Sequence, residues 1–262
     1  MLVTPLYDGQ GLGNQLANII TTQCIALDRG YDFAVAFIDR FKGYFFKNLE
    51  LPDIRGVEVL IEGQTPTRLP VGMKYYRESV DNDGDYDEFI FNIPDNYIIH
   101  GNLQGERYFE KHKDEIREWL AVEPLDLHDD LCIINFRGGE YVGVKDFFLP
   151  QSYWNNAIDN MRKILPDMRF EVHTDDPETA KNFLPDFPII KDMQTNWRAI
   201  RYAKYLILSN STFALFPAWL NEDVKLIIAP KYFARFNKGY WFLKQNIMKC
   251  FTYQDFCGNL GN

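Results

Sequence analysis

Leu131-Cys132-Ile133-Ile134-Asn135-Phe136 is an almost wholly apolar run that ends in Arg137, with Gly138-Gly139 directly after it. A run of this length and composition suits a strand covered on both faces, the usual situation in a parallel sheet flanked by helices. The two glycines let the backbone turn away at the strand's carboxyl end. Ligands of open α/β sheets sit beyond those ends, and an always-charged guanidinium fork there suits a phosphate. An ordinary βα turn with a surface arginine is the plainer alternative.

Working outward, the downstream sequence alternates cleanly. Strands are expected at 131–136, 169–173, 188–190, 205–208 and 225–229, with helices at about 152–165, 177–184, 196–204 and 212–221. Such alternation implies a parallel, doubly wound sheet and an α/β fold class. Upstream, a strand from Leu2 to Leu6 and a glycine-rich turn (Asp8 to Gly13) lead into a helix from Asn14 to Arg29, closed by Gly30. Asp32 to Ile38 and Tyr97 to Gly101 read as strands, Val57 to Ile61 and Glu88 to Phe91 as short ones, and Glu106 to Leu120 as a charged amphipathic helix. Pro124 to Asp130 reads as a linker, which gives two expected domains, 1–128 and 129–262.

Composition narrows the function classes. The 262 residues are 46% hydrophobic, carry a formal charge of -9 and have a pI near 5.0, which argues against a nucleic-acid partner. Any phosphate site is therefore local. No window offers the roughly 20 apolar residues of a membrane span; Ala214 to Trp219 is short and contains Pro217. The start lacks a basic segment followed by a long apolar stretch, so a cytoplasmic protein is expected. Cys24, Cys132, Cys250 and Cys257 form no CxxC pair, and His100, His112, His128 and His173 lack helical metal spacing, so neither a disulfide framework nor zinc is expected.

Three further segments carry chemistry. Gly9, Gly11 and Gly13 alternate rather than forming GxGxxG, yet they allow a backbone to approach a ligand, and Asn14 at the expected helix start can cap it or reach a sugar hydroxyl. Ser209-Asn210-Ser211-Thr212-Phe213 follows an apolar strand and opens an apolar helix, an arrangement that suits an oxyanion or simply caps the helix. The acidic run Asp81 to Asp87 resembles a DxD metal site or half a calcium loop, but Tyr86 and Asn92 stand where calcium needs glycine and glutamate, so a solvated loop and no metal are expected.

Together, Gly9 to Gln15, Asn135 to Tyr141, His173-Thr174-Asp175-Asp176, Ser209 to Phe213 with Ala218 to Asn221, and Ile227 to Lys231 occur in the order found in the alpha-1,2-fucosyltransferase family, which the chain resembles over nearly its whole length. Gly101 to Phe109 looks like that family's segment before its interdomain linker. The resemblance implies two Rossmann-like domains facing across a cleft, the glycosyltransferase B type. It further implies metal-independent inversion, with no cofactor beyond the donor substrate GDP-fucose or another nucleotide sugar, and a glycan acceptor as second partner. Residue by residue, Arg137 matches the arginine that grips the donor diphosphate. Ser211, Thr212 and Phe213 match the phosphate turn, and Gly11, Gly13 and Asn14 the loop facing the donor. Asn135, His173, Asp175 and Asn196 complete the expected donor set.

The pattern is broken at three positions. Asn135 stands for the family's His, Gly138 for its second arginine, and Asn196 for the acid that reads guanine. An amide offers guanine one acceptor and a competing donor where a carboxylate offers two acceptors. Asp192 is the nearest substitute, and another nucleotide sugar is the other way out. For the general base the candidates are Glu140, Asp8 and Asp146, with Glu140 equally readable as the acid that orients Arg137. Tyr44, Phe45, Phe46, Tyr75 and Tyr76 either offer stacking faces to a sugar or belong to the core. A non-catalytic nucleotide or glycan binder and a metal-dependent transferase using Asp81 to Asp87 are the competing classes.

Overall fold

The computed structural model describes residues 1–54, 60–62, 65–68, 72–78, 86–236 and 248–261. It divides into two compact units, Met1–Val122 and Glu123–Asn262. Both are Rossmann-like α/β units built on parallel sheets, the fold class expected from the alternation.

In the first unit β1 (Leu2–Pro5) is followed by α1 (Leu12–Arg29), β2 (Phe33–Ala36), the hairpin β3 (Leu60–Glu62) and β4 (Thr65–Arg68), β5 (Lys74–Arg77) and β6 (Tyr97–His100). The main sheet runs β2-β1-β6-β5, all parallel. Helix α1 buries Leu12, Leu16, Ile19 and Ile20 at helical spacing, and Gly30 ends it in the left-handed region at φ 66, its N–H returning to Ala26 and Leu27. The helix begins two residues before the expected Asn14, with Gly11 at the N-cap and no side-chain cap bond. Asn14 thus lies inside the first turn and caps nothing.

Two other expectations are corrected. Glu88 to Phe91 is a 3-10 turn, Glu88–Asn92, rather than a strand, because the Asp87 carboxylate caps it by accepting from Phe89 N at 3.0 Å. The helix expected from Glu106 to Leu120 breaks into 3-10 turns at Glu106–Tyr108 and Glu110–His112, followed by α2 (Lys113–Trp119). Its regularity is lost at buried Phe109, φ -143, next to Tyr108, whose hydroxyl is drawn off to Glu78 and Asp87 N. Residues 57–59 of the expected Val57 to Ile61 strand, and Asp81 to Asp85 of the acidic run, lie outside the described residues.

His100 at the end of β6 gives the first unit a pH dependence. Its ring is 6% exposed and stands edge-on to Tyr7 at 4.5 Å. Burial, helped by the nearby Arg77 cation, lowers its pKa from 6.5 to about 4. The fold thus favours the neutral ring, so the stability this contributes is present above pH 6.5 and is lost as pH falls toward 4, where the unfolded chain alone takes up the proton. Between those limits the protein should lose about 3 kcal/mol relative to a His100→Phe variant. Urea unfolding of both at pH 7 and pH 4 measures this; parallel losses would refute it.

The second unit contains β7 (Leu131–Phe136), α3 (Gln151–Ile164), β8 (Arg169–Thr174), α4 (Pro177–Phe183), β9 (Ile189–Ile190), α5 (Met193–Tyr202), β10 (Tyr205–Leu208), α6 (Leu215–Trp219), β11 (Leu226–Pro230), β12 (Thr252–Gln254) and β13 (Leu260–Gly261). The sheet order is β13-β12-β11-β10-β7-β8-β9, parallel throughout except for β13. Central β7 contributes Cys132, Ile134 and Phe136 to a core with Tyr153, Trp154, Met161 and Ile207. The helix expected at 212–221 is instead a 3-10 turn, Thr212–Ala214, running into the five-residue α6, so the dipole available at Ser211 is that of barely two turns. Strands β12 and β13 went unanticipated because their key residue is polar. Gln254 is fully buried, donates to Tyr153 O at 3.0 Å and accepts from Asn160 at 3.1 Å.

Candidate functional site

The carboxyl ends of β8, β7 and β10 lie side by side, since Phe136 is in register with Thr174, and Asn135 with Leu208. This edge gathers Arg137, Asp175, Ser211 and Thr212 as the chain leaves three neighbouring strands.

Arg137 is 27% exposed and gripped from two sides. Its Nη1 donates to Asp175 Oδ2 at 2.5 Å and its Nη2 to Glu140 Oε1 at 2.8 Å, while the guanidinium lies 5.1 Å from the Tyr141 ring centre. The guanidinium is engaged toward Asp175 beyond β8, the strand on the far side of β7 from β10. Among the described residues, two of its five N–H groups are used by these ion pairs.

The glycines after Arg137 are demanded by close approach. Gly138 N donates to Asp175 Oδ1 at 3.0 Å and Gly139 N to Asp176 Oδ2 at 3.1 Å. A Cβ on Gly138 would stand 2.6 Å from Asp176 Cβ, and Gly139 adopts φ 49, which glycine tolerates best. Asp176 caps α4 through Thr179, and these bonds hold its carboxyl below the usual range. The amides at this turn are accordingly occupied by carboxylates, and a side chain on Gly138 would run into Asp176.

On β10, Ser209 Oγ donates to Asn135 Oδ1 at 2.9 Å, locking Asn135 inside the sheet edge. Asn210 donates to Phe147 O and Phe233 O at 2.8 and 2.7 Å. Ser211 accepts from Phe213 N as a local cap, and Phe213 packs edge-on against Trp197. The Thr212 side chain is half-buried and makes no hydrogen bond among the described residues.

His173 and Asn196 face each other. His173 is 1% exposed, its Nδ1 lies 2.9 Å from Asn196 Oδ1, and its Nε2 lies 2.8 Å from Glu171. Asn196 also donates to Thr174 O at 3.3 Å, which spends the amide on tying α5 to β8. The His173 bond also holds the Glu171 carboxyl below its usual range. Glu171 was not singled out in the sequence, because nothing there shows that it meets His173 two residues on.

Each carboxylate named as a base has an arginine. Glu140 pairs with Arg137, Asp146 with Arg235 at 3.1 Å, and Asp8 with Arg40 at 3.2 Å. Asp8 belongs to the first unit, together with Gly11, Gly13 and Asn14, whose amide oxygen accepts from Gln104 at 3.2 Å. Gly11 has an ordinary φ of -69, and a Cβ there would meet nothing within 4 Å, so the fold itself does not require glycine at this position.

No family model matches the chain. Among curated proteins it is 27% identical over 155 residues to an alpha-1,2-colitosyltransferase of Escherichia coli, covering 50% of this chain and 53% of that protein. It is 26% identical over 191 residues to the O-antigen biosynthesis glycosyltransferase WbnK of Escherichia coli, covering 58% and 62%. The chain thus spans a little over half the length of these curated relatives. Among solved structures it is similar to the fucosyltransferase NodZ from Bradyrhizobium, with 14% identity over 87% of this chain and 94% of that one at a TM-score of 0.49. It is also similar to the Escherichia coli heptosyltransferase WaaC with ADP, with 12% identity over 88% and 87% at a TM-score of 0.42.

Proposed function

We propose that the chain is an inverting, metal-independent glycosyltransferase of the B type that acts in the cytoplasm and moves fucose, or a closely related sugar, from GDP-fucose to a hydroxyl of a glycan acceptor. The observation that carries this reading is Arg137, fixed at the carboxyl end of the central strand by two ion pairs, one strand away from the Thr212 hydroxyl, which makes no hydrogen bond among the described residues. Similarity to an alpha-1,2-colitosyltransferase and to an O-antigen glycosyltransferase supports sugar transfer.

The chemistry follows from charge. As the glycosidic bond breaks toward an oxocarbenium-like state, the departing nucleoside diphosphate gains negative charge, which a fixed guanidinium stabilises without reorganisation. Asp175 and Glu140 hold the fork in place but also cancel its charge, so ligand and carboxylates compete for it.

One observation favours a second reading of the donor. Asn196 is occupied by His173 and Thr174, leaving no carboxylate for guanine at that position, and Asp192 is engaged in capping α5 through Thr195. Calorimetry with GDP, UDP and dTDP decides between the bases. GDP is expected to bind tightest and turnover to survive EDTA; a preference for UDP or dTDP would exclude GDP-fucose, and loss of activity in EDTA would exclude the metal-independent mechanism.

A further inference from the structure

We propose that Gln104 is a positioning residue, which holds the side-chain amide of Asn14 by its carbonyl end and so leaves the NH2 end to donate to an oxygen of the substrate. The proposal rests on the transferase reading and deepens it, by fixing the hydrogen-bonding sense of the group that the first unit offers.

The two side chains come from segments that leave one edge of the sheet. Strands β1 and β6 are parallel neighbours, so the turn leading from β1 into α1 and the segment following β6 both depart from the carboxyl edge. Ligands of open α/β sheets sit beyond this edge. Between the two segments, Gln104 Nε2 donates to Asn14 Oδ1 at 3.2 Å.

The segment that carries Gln104 is tightly constrained. Asn18 of α1 makes two bonds to Gly101, its Nδ2 donating to the carbonyl and its Oδ1 accepting from the amide, both at 2.9 Å. Leu103 is fully buried; its carbonyl accepts from Thr21 Oγ1 at 3.3 Å and its amide donates to Glu78 Oε2 at 2.7 Å. These bonds hold Leu103 at φ 46, a region that a bulky side chain seldom enters. Strain of this kind persists only where the surroundings over-determine it, and it gathers at ligand sites. Its effect here is to set the next residue, Gln104, against Asn14.

The consequence is chemical. An amide side chain accepts at one end and donates at the other. Gln104 engages the carbonyl end of Asn14, so the remaining end is Nδ2 with its two N–H groups. The Asn14 side chain is half-buried, and Nδ2 makes no hydrogen bond among the described residues. The same turn has room, because a Cβ on Gly9 or Gly11 would meet nothing within 4 Å. Neither a side-chain cap nor an acidic residue stands in the first turn of α1 to take up a donor. The substrate atom that fits is therefore an oxygen acceptor.

The test measures nucleotide released from GDP-fucose by the full chain and by Gln104→Ala, Gln104→Glu and Asn14→Ala, singly and combined, with Tm for each. Gln104→Ala should lose about tenfold in rate, the order of one hydrogen bond. Gln104→Glu should lose more although it is the more stable of the two, because the new carboxylate accepts from Asn14 Nδ2 and turns the carbonyl toward the substrate. A merely structural role would make rate follow stability. In the Asn14→Ala background the residue at 104 should cease to matter, which also separates the effect from plain repulsion by the added charge. Independently of turnover, NMR of the side-chain amides should show the Gln104 NH2 signal moving in Asn14→Ala, and the Asn14 NH2 protons of the wild type exchanging freely with water. Normal turnover in Gln104→Ala, a faster Gln104→Glu than Gln104→Ala, additive losses in the combined variants, or protection of the Asn14 amide protons would each overturn the proposal. A wild type that releases no nucleotide from GDP-fucose removes the transferase reading with that donor, and the orientation of Asn14 is then decided by the NMR result alone.

Discussion

Replacing Arg137 with alanine is expected to lower turnover about 100-fold or more, the usual cost of deleting a preorganised group that stabilises developing charge. The loss exceeds that of a surface cation because the substitution also leaves Asp175 and Glu140 side by side without their shared counter-ion, so the site would repel a diphosphate. Lysine should not restore the rate. A single ammonium cannot donate in two fixed directions to Asp175 and Glu140 and still offer a planar fork to the ligand. Glu140→Gln separates the two roles open to that residue. If Glu140 only orients and offsets Arg137, the glutamine variant keeps near-normal turnover and binds nucleotide more tightly; if it is the base, turnover collapses while binding holds. Released nucleotide and calorimetric affinity give both readouts, and an Arg137→Ala variant within a few-fold of wild type would remove the site from consideration.

The second large effect concerns Gly138. A second arginine beside Arg137 would add positive charge to the site, yet Gly138→Arg is expected to destabilise the second unit and to gain no activity. Even Gly138→Ala places a Cβ 2.6 Å from Asp176 Cβ, and Asp176 cannot retreat, since its carboxylate accepts from Thr179 N at 3.1 Å and from Gly139 N at 3.1 Å. Overpacking of this kind costs on the order of 1–3 kcal/mol, with arginine above alanine. Chemical denaturation measures it directly. An alanine variant as stable as wild type would mean that Asp176 moves readily and that the turn after β7 is softer than its bonding indicates.

Much of the fold could be read from residue order because its signals are local. The strands at 131–136 and 205–208 are continuous apolar runs bounded by turn residues, and they form with those limits. Helix α1 declares itself by spacing and by Gly30. The misreadings share a cause. At Glu88–Asn92 and Glu106–Trp119 the pattern was short or interrupted, and the outcome hung on bonds from distant residues such as Glu78 to Tyr108. Buried Gln254, by contrast, belongs to a strand that no hydrophobic pattern announces.

For the site, sequence alone determined which residues stand at the strand ends: Arg137 and its glycines after β7, Asp175 after β8, and Ser211 with Thr212 after β10. Periodicity fixes where strands stop, and the residue that follows is then placed without further information. Tertiary structure alone decided what those side chains face. It turned Arg137 toward Asp175 and Glu140 and spent Asn196 on His173. The reason is physical: a side chain's direction and its hydrogen-bond partner depend on which distant segments pack beside it, and strand register brings together residues that are tens of positions apart in the chain.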